Sequence, residues 1–494
     1  MNWPLSHPIV SPAAARDLEA GLFAGDEAAE WNAMRRAGLA VGEAVLRDSL
    51  ECGGIPEDGR LLVLVGKGHN GGDAVLAALT ILAARPAATV EVLFVFGSRN
   101  LRPLAARAWR ELVHGVRGRV REVRGVAGAY DAALDGVFGF QFRPPAEPRV
   151  TALLEAVNAA AVRFRAAVDL PSAGIFRADF TYATGSVKTP ALGCDAAGRV
   201  RYLDLGFFRG DEAGGHRVLL PGNLEPLARL RPSTCDKRTF GHVFIIGGSA
   251  AFPGSVLLAT LAALKSGAGL VTAFVPEPLV PAFAAQAPEA MWVGWPLTPG
   301  GGMALEGEHL LREKLPRATA LVMGPGLGRD AETAALARSI AASSPVPLLL
   351  DADALTPEVV SATRQPCVLT PHAGELARIG GVDAVPDQGV LVAKGRATRI
   401  AHAGVIYESC AGGPVLARGG SGDLLAGLIG GLLAQTPADP LGAACRGVIW
   451  QGIAADRLAR ARGHTAVRIS EMLDHLSPSV AALGETADGP SASS

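Results

Sequence analysis

The sequence predicts an α/β protein built as two doubly wound halves, and three observations predict it. Short apolar runs alternate with Ala/Leu-rich stretches of helical spacing along most of the 494 residues. That rhythm is broken once, by the glycine-, proline- and charge-rich stretch from Gly210 to Gly241. In each half, an apolar run leads into a glycine-rich turn and then a helical pattern.

Taken in order, residues 61–65 (LLVLV), 91–96 (EVLFVF) and 166–170 (AAVDL) read as buried parallel strands. Residues 73–84 and 104–113 read as the crossover helices between such strands. A domain boundary is expected near residue 222, giving domains 1–221 and 222–485. The second series runs through 242–246, 270–275, 320–323, 347–350 and 367–369, with helices at 255–265, 423–434 and 440–460. Residues 295–307 (WPLTPGGGMALEG) read as a loop, and 486–494 (TADGPSASS) as a disordered tail.

Composition excludes several classes. Lys and Arg number 46 against 47 Asp and Glu, so no basic surplus exists to neutralise nucleic-acid phosphates. At 49% hydrophobic and 19% charged residues, the chain is too apolar for a largely disordered protein. The stretch Val243 to Leu264 is uncharged and long enough to span a bilayer, yet Gly247, Gly248, Pro253 and Gly254 divide it into strand, turn and helix. MNWPLSHPIV has no basic region followed by an apolar run, so no signal peptide is expected. Six scattered cysteines form no CxxC pair, which fits reduced thiols. A soluble cytoplasmic enzyme is expected, without nucleic-acid or membrane partners, and a homo-oligomer as is common for such enzymes.

The run 61–65 leads into Gly66-Lys67-Gly68-His69-Asn70-Gly71-Gly72-Asp73. Glycines at a strand-to-helix turn let backbone N–H groups approach a ligand, and the helix N-terminus favours an anion. The turn lacks the Gly-Lys-Ser/Thr of a Walker A loop. A plain glycine connection with a helix cap would account for the glycines alone. Asp135-Gly136-Val137-Phe138-Gly139-Phe140 and Val168-Asp169-Leu170-Pro171-Ser172 then place aspartates at strand ends, where open α/β sheets bind ligands. Asp169 could equally cap its Pro-Ser turn.

Together with Met34-Arg35-Arg36-Ala37-Gly38, Ala178-Asp179 and Lys188, these motifs resemble the NAD(P)H-hydrate epimerase domain over roughly residues 10–220. The resemblance implies a Rossmann-like three-layer fold and interconversion of R and S hydrated NAD(P)H at ring carbon 6. It also implies that His69, Asn70, Gly71, Gly72, Asp73, Gly139, Phe140 and Arg143 line the substrate site. Asp169 would contact the substrate and act as acid/base, while Asn70, Asp135 and Ser172 would hold a potassium ion. The family usually has Asn at 69 and Gly at 74, where this chain has His69 and Ala74, and Arg143 stands where some members carry Lys.

The second half carries Gly247-Gly248-Ser249, Gly324-Pro325-Gly326-Leu327-Gly328, Asp351-Ala352-Asp353, Thr370-Pro371-His372-Ala373-Gly374-Glu375, Lys394-Gly395 and Gly419-Gly420-Ser421-Gly422-Asp423. A Gly-Gly-Ser-Gly turn can wrap backbone N–H groups around phosphate charge, and Asp423 in the first helical turn can accept a hydroxyl proton. As a bare helix cap, Asp423 would not need the preceding glycines. His372 on its own would suit a turn, but after a strand it points to ligand contact. By itself the Gly-Ser-Gly-Asp motif also permits a small-molecule kinase.

From about Thr234 to Leu476, these motifs resemble the ADP-dependent NAD(P)H-hydrate dehydratase of the ribokinase-like superfamily. The resemblance implies dehydration of the S hydrate at the expense of ADP, by phosphoryl transfer and elimination, with Mg²⁺ bridging the nucleotide phosphates. Asp423 would be the base, with Ser255, Gly326, Gly328 and His372 touching the hydrate. Lys394, Gly395, Arg396, Ala397, Thr398 and Gly422 would hold the nucleotide. The span between Glu375 and Lys394 is short for the family.

Overall fold

A computed structural model describes residues 4–210 and 212–487. It divides into an N-terminal unit, His7–Gly214 with Ala459–His464, and a C-terminal unit comprising residues up to Ser6, Gly215–Leu458 and Thr465 onward. The division falls just ahead of residue 222 because His216–Leu219 is a strand paired with Val405–Glu408.

In the N-terminal unit one seven-stranded sheet is formed by β1 (Arg60–Val65), β2 (Thr89–Phe94), β3 (Val120–Val123), β4 (Ala129–Gly136), β5 (Ala161–Val168), β6 (Phe180–Thr184) and β7 (Arg199–Leu203). They lie in the order β3-β2-β1-β4-β5-β6-β7, all pairings parallel. Because side chains alternate across a pleated strand, β1 feeds two cores: Leu61, Val63 and Val65 enter one, Leu62 and Leu64 the other. Helices α2 (Glu27–Asp48), α3 (His69–Ala84) and α4 (Pro103–Gly115) cover the first face, and α5 (Pro148–Ala159) the second. A short helix, α1 (Pro12–Phe23), precedes them. The outcome is a three-layer unit in the Rossmann order, whose switch point lies between β1 and β4.

Two local expectations shift. Strand β2 ends at Phe94 rather than residue 96. Helix α3 starts at His69 rather than 73, so the glycine turn is already helical at Gly71 and Gly72. Close approach explains why both are glycine: a Cβ at Gly71 would sit 2.4 Å from the Gly66 carbonyl oxygen, and one at Gly72 would sit 2.6 Å from Met34 Sδ.

The C-terminal unit contains β8 (His216–Leu219), β9 (His242–Ile246), β10 (Leu270–Pro276), β11 (Met291–Trp295), β12 (Ala320–Met323), β13 (Leu348–Leu350), β14 (Cys367–Leu369), β15 (Val390–Ala393), β16 (Arg399–His402) and β17 (Val405–Glu408). Their order is β11-β10-β9-β12-β13-β14-β15-β16-β17-β8, parallel except where β16 runs against both neighbours. The uncharged stretch after His242 is strand β9, a turn and helix α6 (Pro253–Lys265). No helix among the described residues is long and apolar enough to cross a membrane. All six cysteines are free thiols. The last helix runs Leu476–Ala487, and residues 488–494 of the expected tail lie outside the described residues.

Helix α8 (Ser421–Gln435) packs on α6 through glycines. A Cβ at Gly427 would stand 1.9 Å from the Ala259 carbonyl oxygen. Gly427→Ala is therefore expected to lower stability, because an overpacking cost of about 1–3 kcal/mol outweighs a helix-propensity gain of at most ~1 kcal/mol. A thermal melt of the variant beside the parent checks this, with a lower Tm expected.

Candidate functional site

At the switch point of the N-terminal unit lies a cavity of about 570 Å³. His69, Asn70 and Asp73 line it from the first turns of α3, Gly139, Phe140 and Arg143 from the loop after β4, and Asp169 from the end of β5. Gly71 and Gly72 do not line it but set the close packing beneath it. Asp169 adopts φ +65°, a left-handed conformation that Asp tolerates better than most residues and that turns it out of the strand. Its Oδ2 accepts the Phe140 amide at 3.3 Å, and its Oδ1 forms an ion pair with Lys188 Nζ at 2.5 Å. Lys188 is buried, donates to the Thr184 carbonyl at 3.0 Å and lies 5.1 Å from the Phe140 ring centroid.

Asp73 is a different carboxyl. Burial, with the neighbouring Asp169 charge adding to it, pushes Asp73 well above the usual carboxylate range. Its Oδ1 is buried without a hydrogen-bond partner. Glu19, on α1, lines the same cavity and is raised to about 7 by burial, against the attraction of Lys188. The raised Asp73 carboxyl and the lysine-paired Asp169 thus line one cavity in different surroundings. Burial pushes His69 down, toward neutral imidazole, and its Nε2 lies 3.8 Å from Glu30 Oε2.

Behind this wall, Asp135 is fully buried and raised to about 6 by desolvation. It accepts the Ser172 amide at 2.7 Å, the Ser172 hydroxyl at 2.6 Å and the Val137 amide at 3.2 Å. The Ser172 hydroxyl in turn accepts the Phe138 amide at 2.9 Å. Asn70 Nδ2 donates to the carbonyls of Val168 at 2.9 Å and Phe138 at 3.2 Å, tying α3 to both strand-end loops.

In the C-terminal unit, Gly420 enters α8 at φ +92° and places Asp423 in the first turn. Asp423 shares a side-chain hydrogen bond with Ser255 and is raised to about 6, first by burial and then by the Asp351 charge. Lys394 Nζ donates to Asp351 Oδ1 at 2.8 Å and lies 3.2 Å from where a Cβ on Gly422 would be. The Thr370 hydroxyl donates to the same Asp351 oxygen at 2.7 Å. Gly326, at φ +64°, abuts Ser255, and the Gly328 amide donates to Asp353, which also pairs with Arg329 at 2.7 Å. Ser255, Gly326, Gly422, Asp423 and Lys394 are thus gathered around one helix N-terminus.

His372 does a structural job here. Its Nδ1 accepts the amides of Gly374 and Glu375 as the cap of α7 (Ala373–Arg378), leaving an exposed ring beside Glu375. Its backbone bridges to Lys394, which keeps it next to the cluster. Gly395, Arg396, Ala397 and Thr398 continue from Lys394 as the β15–β16 connection. The short span before Lys394 is built from the six-residue α7 and a single turn at Val382–Ala384. Sequence reading missed Glu19, Arg102 and Phe207 in the first cavity, and Arg329 in the second cluster.

A Rossmann-ordered unit with an acid–base cavity, joined in one chain to an α/β unit with a glycine-Asp helix start, defines a two-site enzyme. Family models agree: residues 31–196 match the YjeF-related protein N-terminus and residues 243–477 match NAD(P)H-hydrate dehydratase. The chain is 36% identical to the bifunctional NAD(P)H-hydrate repair enzyme Nnr of Gloeobacter violaceus, covering 98% of each protein. It is 33% identical to that of Moorella thermoacetica, covering 90% of this chain and 91% of the relative. The chain belongs to the bifunctional NAD(P)H-hydrate repair enzyme family. Among solved structures it is similar to the ADP/ATP-dependent NAD(P)H-hydrate dehydratase from Bacillus subtilis co-crystallised with ATP/Mg²⁺, at 26% identity and TM-score 0.44, over 53% of this chain and 96% of that one.

Proposed function

We propose that the N-terminal unit epimerises R and S NAD(P)H hydrate and the C-terminal unit dehydrates the S form at the expense of ADP, giving AMP and phosphate. Within the family frame, one observation carries the reading: each unit sets a carboxyl near a lysine, Asp169 paired with the buried Lys188 and the half-buried Asp423 beside Ser255 and Lys394.

In the epimerase cavity, Asp169 takes the proton of the carbon-6 hydroxyl as the bond from carbon 6 to the ring nitrogen opens to an aldehyde. The nitrogen takes up a proton with Asp73 facing the same space, and closure on the other face of the carbonyl reverses both transfers. Phe140 and Arg143 bound the ring and the cavity rim. A potassium ion fits the donor chemistry behind the wall: the Asp135 carboxylate, the Ser172 hydroxyl and the Asn70 amide oxygen, once that amide is turned over, form an all-oxygen set. When bound, the ion would supply positive charge that fixes these strand-end loops.

In the dehydratase site, Asp423 accepts the proton of the ring hydroxyl as its oxygen bonds to the transferred phosphoryl group. AMP leaves from that phosphorus. Phosphate then departs from carbon 6 as carbon 5 loses a proton, restoring the ring double bond of NAD(P)H. Lys394 and the amides opening α8 hold the phosphoryl charge. Ser255, Gly326 and Gly328 flank the hydrate, with His372 at its edge, and Gly395 to Thr398 follow the nucleotide. Mg²⁺ would come with the nucleotide phosphates, where it would neutralise part of the phosphoryl charge.

The base form of Asp423 must be ionised to act. Its carboxyl is raised to about 6. Dehydratase kcat/KM is therefore expected to fall as pH drops through about 6, rather than near the ordinary Asp value. Asp351→Asn removes the like charge next to it and moves this limb to lower pH, which a pH–rate profile of parent and variant checks. The function itself is tested by chromatography of the pure R hydrate. Without nucleotide it should yield the S form; after ADP and Mg²⁺ are added, NAD(P)H should accumulate. Failure of both steps would overturn the reading.

A further inference from the structure

Beside the epimerase cavity lies a second depression of about 480 Å³, lined by Leu22, Phe23, Ala29, Asn32, Arg36, Gly206 and Phe207. Phe23 and Phe207 border both spaces, their rings edge-to-face with centroids 5.8 Å apart. The two spaces also lie side by side along α2. Ala33 and Ala37 line the main cavity, while Ala29, Asn32 and Arg36 line the groove, spacings that fall on one helix face.

The chemistry of the two spaces differs. The main cavity gathers the acid–base groups Glu19, Asp73, Asp169 and Lys188. No carboxylate lines the groove. It offers instead two aromatic rings, the Asn32 amide and the Arg36 guanidinium, which is exposed and makes no hydrogen bond or ion pair among the described residues. A flat apolar face beside an uncommitted guanidinium suits an aromatic base and a phosphate.

We propose that this groove takes the adenosine end of the hydrated dinucleotide and that Arg36 contacts the 2′-phosphate present only in NADPH hydrate. The inference rests on reading the N-terminal unit as the epimerase. A dinucleotide has two nucleoside ends joined by a diphosphate. When the hydrated ring sits at Asp169, the other end needs a place outside the acid–base cavity, and the groove adjoins that cavity at Phe23 and Phe207. Bidentate Arg–phosphate contact would make the enzyme prefer the phosphorylated hydrate.

The test is epimerase kinetics of the full chain with the R hydrates of NADH and NADPH, for the parent, Arg36→Ala, Arg36→Lys and Phe207→Ala. Arg36→Ala should lower the ratio of kcat/KM for NADPH hydrate over NADH hydrate about ten-fold, mainly through KM. Arg36→Lys, which keeps the charge but loses the fork, should give an intermediate ratio. Phe207→Ala should raise KM for both hydrates with the ratio held, since both carry adenine. An unaltered ratio in Arg36→Ala, or an unaltered KM in Phe207→Ala, overturns the assignment while leaving the epimerase reading standing. A parent protein inactive on both hydrates overturns both.

Discussion

Asp423→Asn is expected to lower dehydratase kcat by about 10²–10⁴-fold, the range for loss of a positioned general base. Asn keeps the size of the side chain and an oxygen for the Ser255 hydrogen bond, but it cannot take the hydroxyl proton. The fold should be retained, because a half-buried carboxyl already raised to about 6 by desolvation is exchanged for a neutral group. Formation of AMP from ADP in the presence of the S hydrate measures the loss. A variant that still turns over at the parent rate would leave Asp423 as no more than a cap of α8 and reopen the small-molecule kinase reading.

Asp169→Asn should silence the other unit, by a similar factor of about 10²–10⁴. The backbone tolerates the change, since Asn also accepts the left-handed φ of +65°. Electrostatics makes this variant costlier than the first. Lys188 is buried, and its ion-pair partner would be gone. Removing one member of a buried pair typically costs about 3–5 kcal/mol. A lower Tm is therefore expected alongside the lost R-to-S conversion. The double variant Asp169→Asn/Lys188→Met should regain much of the Tm without regaining activity, which separates the chemistry from the stability. Unchanged epimerisation in Asp169→Asn would point to a first unit that binds without catalysing.

Much of this arrangement was legible where the signal is local in the chain. Strand β1 carries the unbroken apolar run Leu61–Val65, and the turn after it needs glycine at Gly66, where a Cβ would sit 1.9 Å from the Val137 carbonyl oxygen. Asp169 and Asp423 sit in turns whose composition announces a strand end and a helix start. Strands β3 and β7 were not legible, because VREV and RVRYL interleave charge with apolar residues. Their arginines meet carboxylates that the chain brings from afar: Arg121 pairs with Glu91 on β2, and Arg199 with Glu51. Helix α3 began earlier than its sequence suggests, since Gly71 and Gly72 weaken a helix locally and are kept there by packing against Gly66 and Met34.

The missing half of the first cavity has the same origin. Glu19 reads as one more charge on a mostly exposed short helix, and only its burial against the folded cavity raises it to about 7, against the attraction of Lys188. Lys188 belongs to the motifs of the first half, yet its burial has no signature in a residue type that is ordinarily exposed. Phe207 follows β7 in an irregular segment with no periodicity to place it. His372 shows the converse. Its Thr-Pro-His-x-Gly-Glu setting marks it for a site, and the structure spends its Nδ1 on capping α7 in a box with Glu375.

The most direct test of a two-step repair enzyme is recovery of reduced cofactor from an equilibrated mixture of R and S NADH hydrate, followed by its near-ultraviolet absorbance with ADP, Mg²⁺ and K⁺. The account predicts complete recovery: a fast phase for the S fraction, then a second phase for the R fraction that outpaces spontaneous epimerisation. Recovery that stops at the S fraction would contradict the role of the Asp169 cavity. No recovery with either ADP or ATP would contradict the account at its centre.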